Sequence, residues 1–275
     1  DKNDLPKFFR NNKNITAVIH MGAISATTEL NFNKLLISNI RYSQMLWSWC
    51  SVNKVPFIYA SSAATYGNGE NGYDDNESLL SKLTPLNAYG YSKHFFDQWV
   101  YSQINSNQPS PPQWCGLKFF NVYGPNEYHK NRMASVVFHA FQQFQKEKEI
   151  RLFKSENPDY KDGMQLRDFI YVKDAVEYVM YFLKNSHISG LFNSGTGVAQ
   201  SFRDLAEAVI KNTDGNKSNI KYINMPDDLK GKYQYYTEAN LDKIKAKGLN
   251  LKFKNLKEGV NDYMQNYLLT SDRYA

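Results

Sequence analysis

Four short apolar runs, separated by stretches of helical periodicity, constrain this chain more than any other feature. The runs are Ile15-Thr-Ala-Val-Ile-His20, Val55-Pro-Phe-Ile-Tyr-Ala-Ser-Ser62, Trp114-Cys-Gly-Leu-Lys-Phe-Phe120 and Asp168-Phe-Ile-Tyr-Val172. Helical patterns lie between them over about 31–53, with Leu35, Leu36, Ile40, Met45, Leu46 and Trp49 as the apolar face, and over about 87–104. Another runs from Lys173 to Asn185. A strand that returns parallel to its predecessor needs a helical crossover, and strands covered on both faces read as near-continuous apolar runs. The alternation predicts right-handed βαβ units and a doubly wound α/β fold with a parallel sheet. Past Asn121 the rhythm changes, with a helix over about 134–147, a short strand Ile150–Phe153 and a polar loop at 155–165. Ser201-Phe-Arg-Asp204 has the form of a capping box that opens a helix to about Asn212. A final helix is expected over about 256–269.

The chemistry-bearing residues sit at the ends of these elements. Tyr89 and Lys93 form the only Tyr-x-x-x-Lys in a chain with 20 tyrosines. Positions i and i+4 share one helix face, so the Lys93 ammonium is expected near the Tyr89 oxygen. A free phenol, with a pKa near 10, is a poor base at neutral pH, and a nearby cation lowers that value. Ser62, at the carboxyl end of an apolar strand, is expected to align a sugar hydroxyl whose proton Tyr89 removes. Together these are the groups that nicotinamide-dependent sugar chemistry needs. A surface tyrosine beside a solvated lysine is the ordinary alternative, and the strand and serine upstream weigh against it. Gly67-Asn-Gly69-Glu-Asn-Gly72 matches G-x-G-x-x-G literally but is followed by Tyr73-Asp-Asp-Asn-Glu77. A dinucleotide fingerprint must open a helix whose N-terminus meets a pyrophosphate. We read the stretch as a flexible polar loop.

Composition narrows the function classes. Apolar residues make up 42% and charged residues 22%, ordinary for a globular chain of 275 residues. No apolar run approaches membrane-spanning length, so no membrane partner is expected. The net charge of +6 is scattered, without a basic stripe, and nucleic acid is not expected as a partner. Cys50 and Cys115 lie in apolar contexts without metal spacing, reading as buried thiols of a reducing, cytoplasmic compartment; no metal is expected. The opening Asp1-Lys-Asn-Asp-Leu-Pro-Lys-Phe-Phe-Arg10 reads as a helix entered in mid-fold, which suggests a chain lacking its first βα unit.

Longer segments carry a resemblance. Gly22-Ala-Ile-Ser-Ala-Thr-Thr-Glu29, Tyr59-Ala-Ser-Ser-Ala-Ala-Thr-Tyr-Gly67, Tyr89-Gly-Tyr-Ser-Lys93, Phe120-Asn-Val-Tyr-Gly-Pro125, His129-Lys130 with Met133-Ala-Ser135, Arg167-Asp-Phe-Ile-Tyr-Val172, Phe192-Asn-Ser-Gly-Thr-Gly197 and Leu229-Lys-Gly-Lys-Tyr-Gln234 are similar to the extended short-chain dehydrogenase/reductases. Within that superfamily they resemble the ADP-L-glycero-D-manno-heptose 6-epimerase family. The resemblance runs from about Ile15 to the C-terminus. It departs at Asn126 and Lys232, where the family usually has arginine, at Ser38-Asn39, and in a longer loop before Arg167.

The resemblance implies a Rossmann-like cofactor-binding domain over 1–120 and 164–195 and a smaller substrate-binding domain over 121–163 and 196–275. It implies NADP held by Met21, Gly22, Ala23, Ile24, Ser25, Asn39, Lys93, Val122 and Lys130. It implies catalysis by Tyr89, Lys130, Ser62 and Lys93, with Lys130 as a second acid/base. ADP-heptose would meet Asn121, His139, Phe153, Arg167 and Tyr233, with Arg167 on the diphosphate, and the family suggests a homo-oligomer, a pentamer. For His139, among Val136, Val137, Phe138 and Ala140, a satisfied core histidine is the ordinary explanation. Two rival readings remain at this point. A UDP-hexose 4-epimerase would use the same Ser/Tyr/Lys set, whereas a 4,6-dehydratase would need an acid near Ser62-Ala-Ala-Thr65. A non-catalytic nucleotide-binding module would be expected to lose the tyrosine or lysine, and both are present.

Overall fold

The computed structural model describes residues 4–12, 14–227 and 233–274. The chain runs α1 (Leu5–Asn11), β1 (Val18–His20), α2 (Phe32–Leu35), a π-helical turn Leu36–Arg41, α3 (Tyr42–Asn53) and β2 (Phe57–Ser62). A 3₁₀ turn Ala63–Tyr66, α4 (Ala88–Asn105), β3 (Trp114–Phe119) and β4 (Asn121–Tyr123) follow. Next come a 3₁₀ turn Tyr128–Met133, α5 (Val136–Glu147), β5 (Ile150–Phe153), β6 (Leu166–Tyr171) and α6 (Val172–Lys184). The chain continues with β7 (Gly190–Ser194), β8 (Ala199–Ser201), α7 (Phe202–Ile210), β9 (Ile220–Ile223), α8 (Asp242–Ala246) and α9 (Leu256–Tyr263).

Two compact units result. The first comprises Asp1–Thr65, Asp75–Lys118 and Val179–Phe192. Its sheet has the order β1-β2-β3-β7, with β1 parallel to β2 and Val18 opposite Phe57. The doubly wound reading holds here. Trp47 fills the space beneath the sheet, its ring edge-on to Phe57, Trp99 and Trp114 at about 6 Å. On β3, a Cβ at Gly116 would lie 2.5 Å from both Tyr59 and Leu191, so only glycine lets these layers close.

The expected helix over 31–53 exists, with the Asn31 side chain capping it by accepting from the Lys34 amide. Its apolar face differs from expectation. Met45 is 48% exposed, and Trp47, absent from the expected face, is 1% exposed. The π-turn inserts a residue ahead of α3, and each residue advances the helix face by about 100°. Uniform 3.6-residue counting therefore loses phase beyond Arg41.

The second unit comprises Tyr66–Asp74, Phe119–Tyr178 and Asn193–Ala275. It holds the strands β4-β6-β8, with β4 parallel and β8 antiparallel to β6, and a parallel pair β5-β9. Strands β4, β7, β8 and β9 were not expected; β4, β8 and β9 have only three or four residues. Val137, Phe141, Phe144, Leu205, Val209 and Val260 share its core. The capping box at Ser201 and Asp204 forms as expected.

The literal glycine motif opens no helix. Gly67, Gly69 and Gly72 all take positive φ, and the Gly69 turn closes directly over the Tyr73 ring. Tyr73 donates to the Tyr236 carbonyl, and Tyr66 to Asn193 at 2.7 Å. The stretch is a polar loop with Asn68, Glu70, Asn71 and Gly72 exposed, and the flanking Tyr66 and Tyr73 are held by their hydroxyls.

Candidate active site

In the first unit, the site starts at the carboxyl end of β2. Ser62 closes the strand, and its Oγ accepts from the Ala64 amide at 3.1 Å. The chain then turns through Ala63–Tyr66 and returns to α4, whose first turn is capped by Asn87 accepting from Gly90 at 2.8 Å. Gly90 is required there. A Cβ would stand 2.8 Å from the Ala64 carbonyl and 2.9 Å from Pro85. This close approach brings α4 against the residues after Ser62 and sets the Tyr89 hydroxyl beside the Ser62 hydroxyl, which favours the ionised phenol.

Burial raises the Tyr89 phenol above its ordinary value; the Ser62 hydrogen bond opposes this and the Asp97 carboxylate adds to it. The expectation that Lys93 lowers Tyr89 is not met in this arrangement. The Lys93 Nζ donates to the Ala60 carbonyl at 2.7 Å instead. Burial pulls Lys93 itself down to about 8, with Asp97 opposing. Ser62, Tyr89 and Lys93 are thus brought together, but the lysine's charge is spent against its own desolvation.

Beneath them lies a polar network that sequence reading missed. Asp97 is fully buried and accepts from Tyr59 at 3.0 Å, Ser61 at 2.6 Å and Lys118 at 3.0 Å. Lys118, 1% exposed, also donates to Thr65 Oγ1 at 2.7 Å. Thr65 in turn donates to the Ser62 carbonyl at 2.8 Å. Two signals were available: a lysine inside an apolar strand run, and an acid four residues after Lys93 on the same helix face.

Met21, Gly22, Ala23 and Ser25 stand exposed past the carboxyl end of β1, and Ile24 is half-buried. A Cβ at Gly22 would meet nothing within 4 Å, so the loop presents open backbone. Asn39 is buried and holds this loop. Its Oδ1 accepts from the Ile24 amide at 2.9 Å, and its Nδ2 donates to the Ile24 carbonyl at 3.0 Å and to Ser92 at 2.9 Å.

In the second unit, Arg167 is 6% exposed and lies between rings, 5.5 Å from the Phe202 centroid and 5.1 Å from that of Tyr233. Its guanidinium donates to the Leu166 carbonyl at 2.8 Å and to the Gln234 carbonyl. Burial lowers its proton affinity, and among the described residues no carboxylate pairs with it. Phe153 meets Tyr233 edge-on at 6.3 Å, so Phe153, Arg167 and Tyr233 form one cluster. Asp168, next in sequence, points elsewhere. It accepts from the Thr196 amide and hydroxyl, each at 2.7 Å, the Gly197 amide at 2.9 Å and the Ala239 amide at 3.1 Å.

The remaining residues stand apart from that cluster. Lys130 is exposed on the turn Tyr128–Met133, and His139 is half-buried with its ring 3.4 Å from the Arg132 carbonyl. Asn121 is exposed and Val122 half-buried on β4. Asn126, where arginine was the expected family residue, has φ +71°, a left-handed conformation that asparagine tolerates well. Lys232, and Leu229–Lys232 of the Leu229–Gln234 segment, lie outside the described residues.

Comparison with known proteins follows the same lines. The profile of the NAD dependent epimerase/dehydratase family matches residues 1–195. An ADP-L-glycero-D-manno-heptose-6-epimerase from Fusobacterium nucleatum is 50% identical over 285 aligned positions, which cover 100% of this chain and 84% of that one. The crystal structure of the Helicobacter pylori ADP-L-glycero-D-manno-heptose-6-epimerase superposes with a TM-score of 0.78 at 28% identity, covering 97% of this chain and 77% of that one. The Thermus thermophilus UDP-glucose 4-epimerase, solved with NAD, shares the fold at a TM-score of 0.74 and 22% identity, over 96% of this chain and 81% of that one.

Proposed function

The chain belongs to the NAD dependent epimerase/dehydratase family, with ADP-L-glycero-D-manno-heptose-6-epimerases as relatives, and we infer that it converts ADP-D-glycero-D-manno-heptose to ADP-L-glycero-D-manno-heptose at C6. The product would supply heptose to the inner core of lipopolysaccharide. One observation carries the chemistry: a half-buried phenol, Tyr89, beside the Ser62 hydroxyl, with the buried amine of Lys93 one helical turn away. As a member of this family the chain works with a nicotinamide cofactor. The exposed loop 21–25 at the carboxyl end of β1 fits such a group, because ligands of open α/β sheets bind at strand carboxyl ends.

A nicotinamide held by the loop 21–25 would supply hydride transfer to and from C6 of the sugar. In our reading, Tyr89 takes the proton of the C6 hydroxyl while Ser62 aligns that oxygen. Lys93 serves the nicotinamide ribose and, once released from the Ala60 carbonyl it holds here, the phenolate. Lys130 serves as the second acid/base once the C6 ketone has turned over. The aromatic walls around Arg167, and its lack of a carboxylate partner among the described residues, support a diphosphate contact for it, since a planar five-donor guanidinium matches phosphate oxygens. Phe153 and Tyr233 belong to the same cluster, with Asn121 and His139 as further substrate contacts. Met21–Ser25, Asn39, Val122, Lys93 and Lys130 would serve the cofactor.

The finer choices belong to the same proposal. They are NADP as the cofactor, ADP-heptose as the substrate, a homo-oligomer of five subunits and a cytoplasmic setting. We assign 1–120 and 164–195 to the cofactor and 121–163 and 196–275 to the substrate. Two buried free thiols, Cys50 and Cys115, are in keeping with a reducing compartment, and no described helix is long and apolar enough to cross a membrane. The test is an NMR assay of the purified protein with ADP-D-glycero-D-manno-heptose and, separately, UDP-glucose. Conversion of the heptose is expected. Conversion of UDP-glucose alone would replace this reading with a 4-epimerase.

A further inference from the structure

The Ser62 hydroxyl must be held in one orientation to serve Tyr89, and β2 alone cannot hold it. Ser62 is the last residue of β2, so its carbonyl lies where the strand itself stops. It is taken by Thr65, whose Oγ1 donates to it at 2.8 Å. The polarity of that bond is fixed from behind. Lys118 has three donors and no acceptor, so at 2.7 Å from Thr65 it can only donate, leaving the Thr65 proton for Ser62. Lys118 is itself pinned by Asp97 at 3.0 Å, and Asp97 by Tyr59 and Ser61. Asp97, Thr65 and Lys118 are each 1% exposed or less. On its other side, Ser62 Oγ accepts from Ala64 at 3.1 Å, which leaves its own proton for the Tyr89 oxygen.

We propose that Thr65 is a positioning residue for the reaction, transmitting the hold of the buried Asp97–Lys118 pair to Ser62 and so aiming the serine hydroxyl at Tyr89. The inference rests on the roles given above to Ser62 and Tyr89. Threonine suits the task. Its hydroxyl accepts and donates at once, and its branched Cβ has few rotamers. A small misplacement of a reacting group costs up to about a hundredfold in rate. Thr65 touches no reacting atom on this account, so its loss should appear in turnover and leave substrate affinity alone.

The experiment compares Thr65→Val, which keeps the shape and removes the hydroxyl, with Thr65→Ser, which keeps the hydroxyl. Steady-state kinetics on ADP-heptose are read beside Ser62→Ala and Tyr89→Phe. Thr65→Val should lower kcat about ten- to a hundredfold with KM within about twofold, and Thr65→Ser should recover most of it. A folded Thr65→Val with unchanged kcat overturns the proposal, even if its melting temperature falls, because that pattern is purely structural. If Thr65→Val does not fold, Thr65→Ala against Thr65→Ser decides. Loss in alanine and retention in serine support the proposal, and equal rates sink it. Full turnover in Ser62→Ala and Tyr89→Phe would instead remove the reading on which it rests. Loss in those two with none in Thr65→Val removes only the role of Thr65.

Discussion

Replacing Lys93 with methionine is expected to stabilise the protein while abolishing its turnover. Lys93 is 7% exposed, and burial pulls its ammonium from 10.5 down to about 8. At 1.36 kcal/mol for each pH unit, that drop corresponds to about 3 kcal/mol. Between pH 8 and pH 10.5 the unfolded chain holds a proton here that the folded chain has released, so stability rises with pH across that window. Below pH 8 both states are protonated, and the folded state carries the full cost of the buried cation. Methionine matches the length of the lysine stem and has no charge to bury. It gives up the 2.7 Å hydrogen bond to the Ala60 carbonyl, a loss of about 1 kcal/mol. The net gain at pH 7 is therefore about 2 kcal/mol, falling to zero or slightly below by pH 10.5. Urea midpoints of wild type and variant at pH 7 and pH 10 measure this directly. A variant less stable than wild type at pH 7, or a stability difference that ignores pH, would refute the reasoning. Activity moves the other way, since the same amine is assigned to Tyr89 and the nicotinamide ribose.

Tyr89→Phe and Lys130→Met should each lower turnover by about 10²- to 10⁴-fold with ADP-sugar binding retained, and together lose less than the product of their separate effects; multiplicative loss in steady-state kinetics would separate the two groups. Arg167→Lys keeps the charge and loses the fork and the ring stacking, so calorimetry with ADP should show affinity down about tenfold or more; unchanged affinity would take the diphosphate away from Arg167. Asp97→Asn leaves Lys118 buried without its carboxylate and should cost about 3–5 kcal/mol in urea unfolding; a cost below about 1 kcal/mol would mean that the pair contributes nothing net.

The parts of the fold that were legible in the sequence share one property: their signal is local. β2, β3 and β6 carry apolar runs, and α5 and α7 carry regular apolar stripes with Ser135 and Ser201 as caps. The elements that escaped are those whose signal is not local. β4, β8 and β9 have three or four residues and find partners far along the chain, and β7 carries only Leu191 and Phe192 between Gly190 and Asn193. The phase of α3 depends on a π-turn that no period reveals. The same division runs through the candidate site. Ser62, Tyr89 and Lys93 were readable because one strand end and one helix turn carry them. Asp97, Lys118 and Thr65 were not, because their meaning lies in contacts across 21 and 53 residues. Tyr89's raised proton affinity was misjudged for a related reason. Residue spacing places a cation nearby, but only the packed structure shows that desolvation dominates and that Ala60 claims the amine.

Neither unit is a continuous piece of chain, and this sets the order in which the protein can be made. The first unit draws its last segment from Val179–Phe192, which supplies the outer strand β7 of its sheet. During synthesis, residues 1–118 therefore wait with the far side of β3 unpaired until residue 192 has left the ribosome. The second unit waits longer, because Asp168 has its last amide donor at Ala239. Long-range closure of this kind slows folding and leaves strand edges open in the meantime. A stop after β3 should thus yield an aggregating fragment, with no independently folded half.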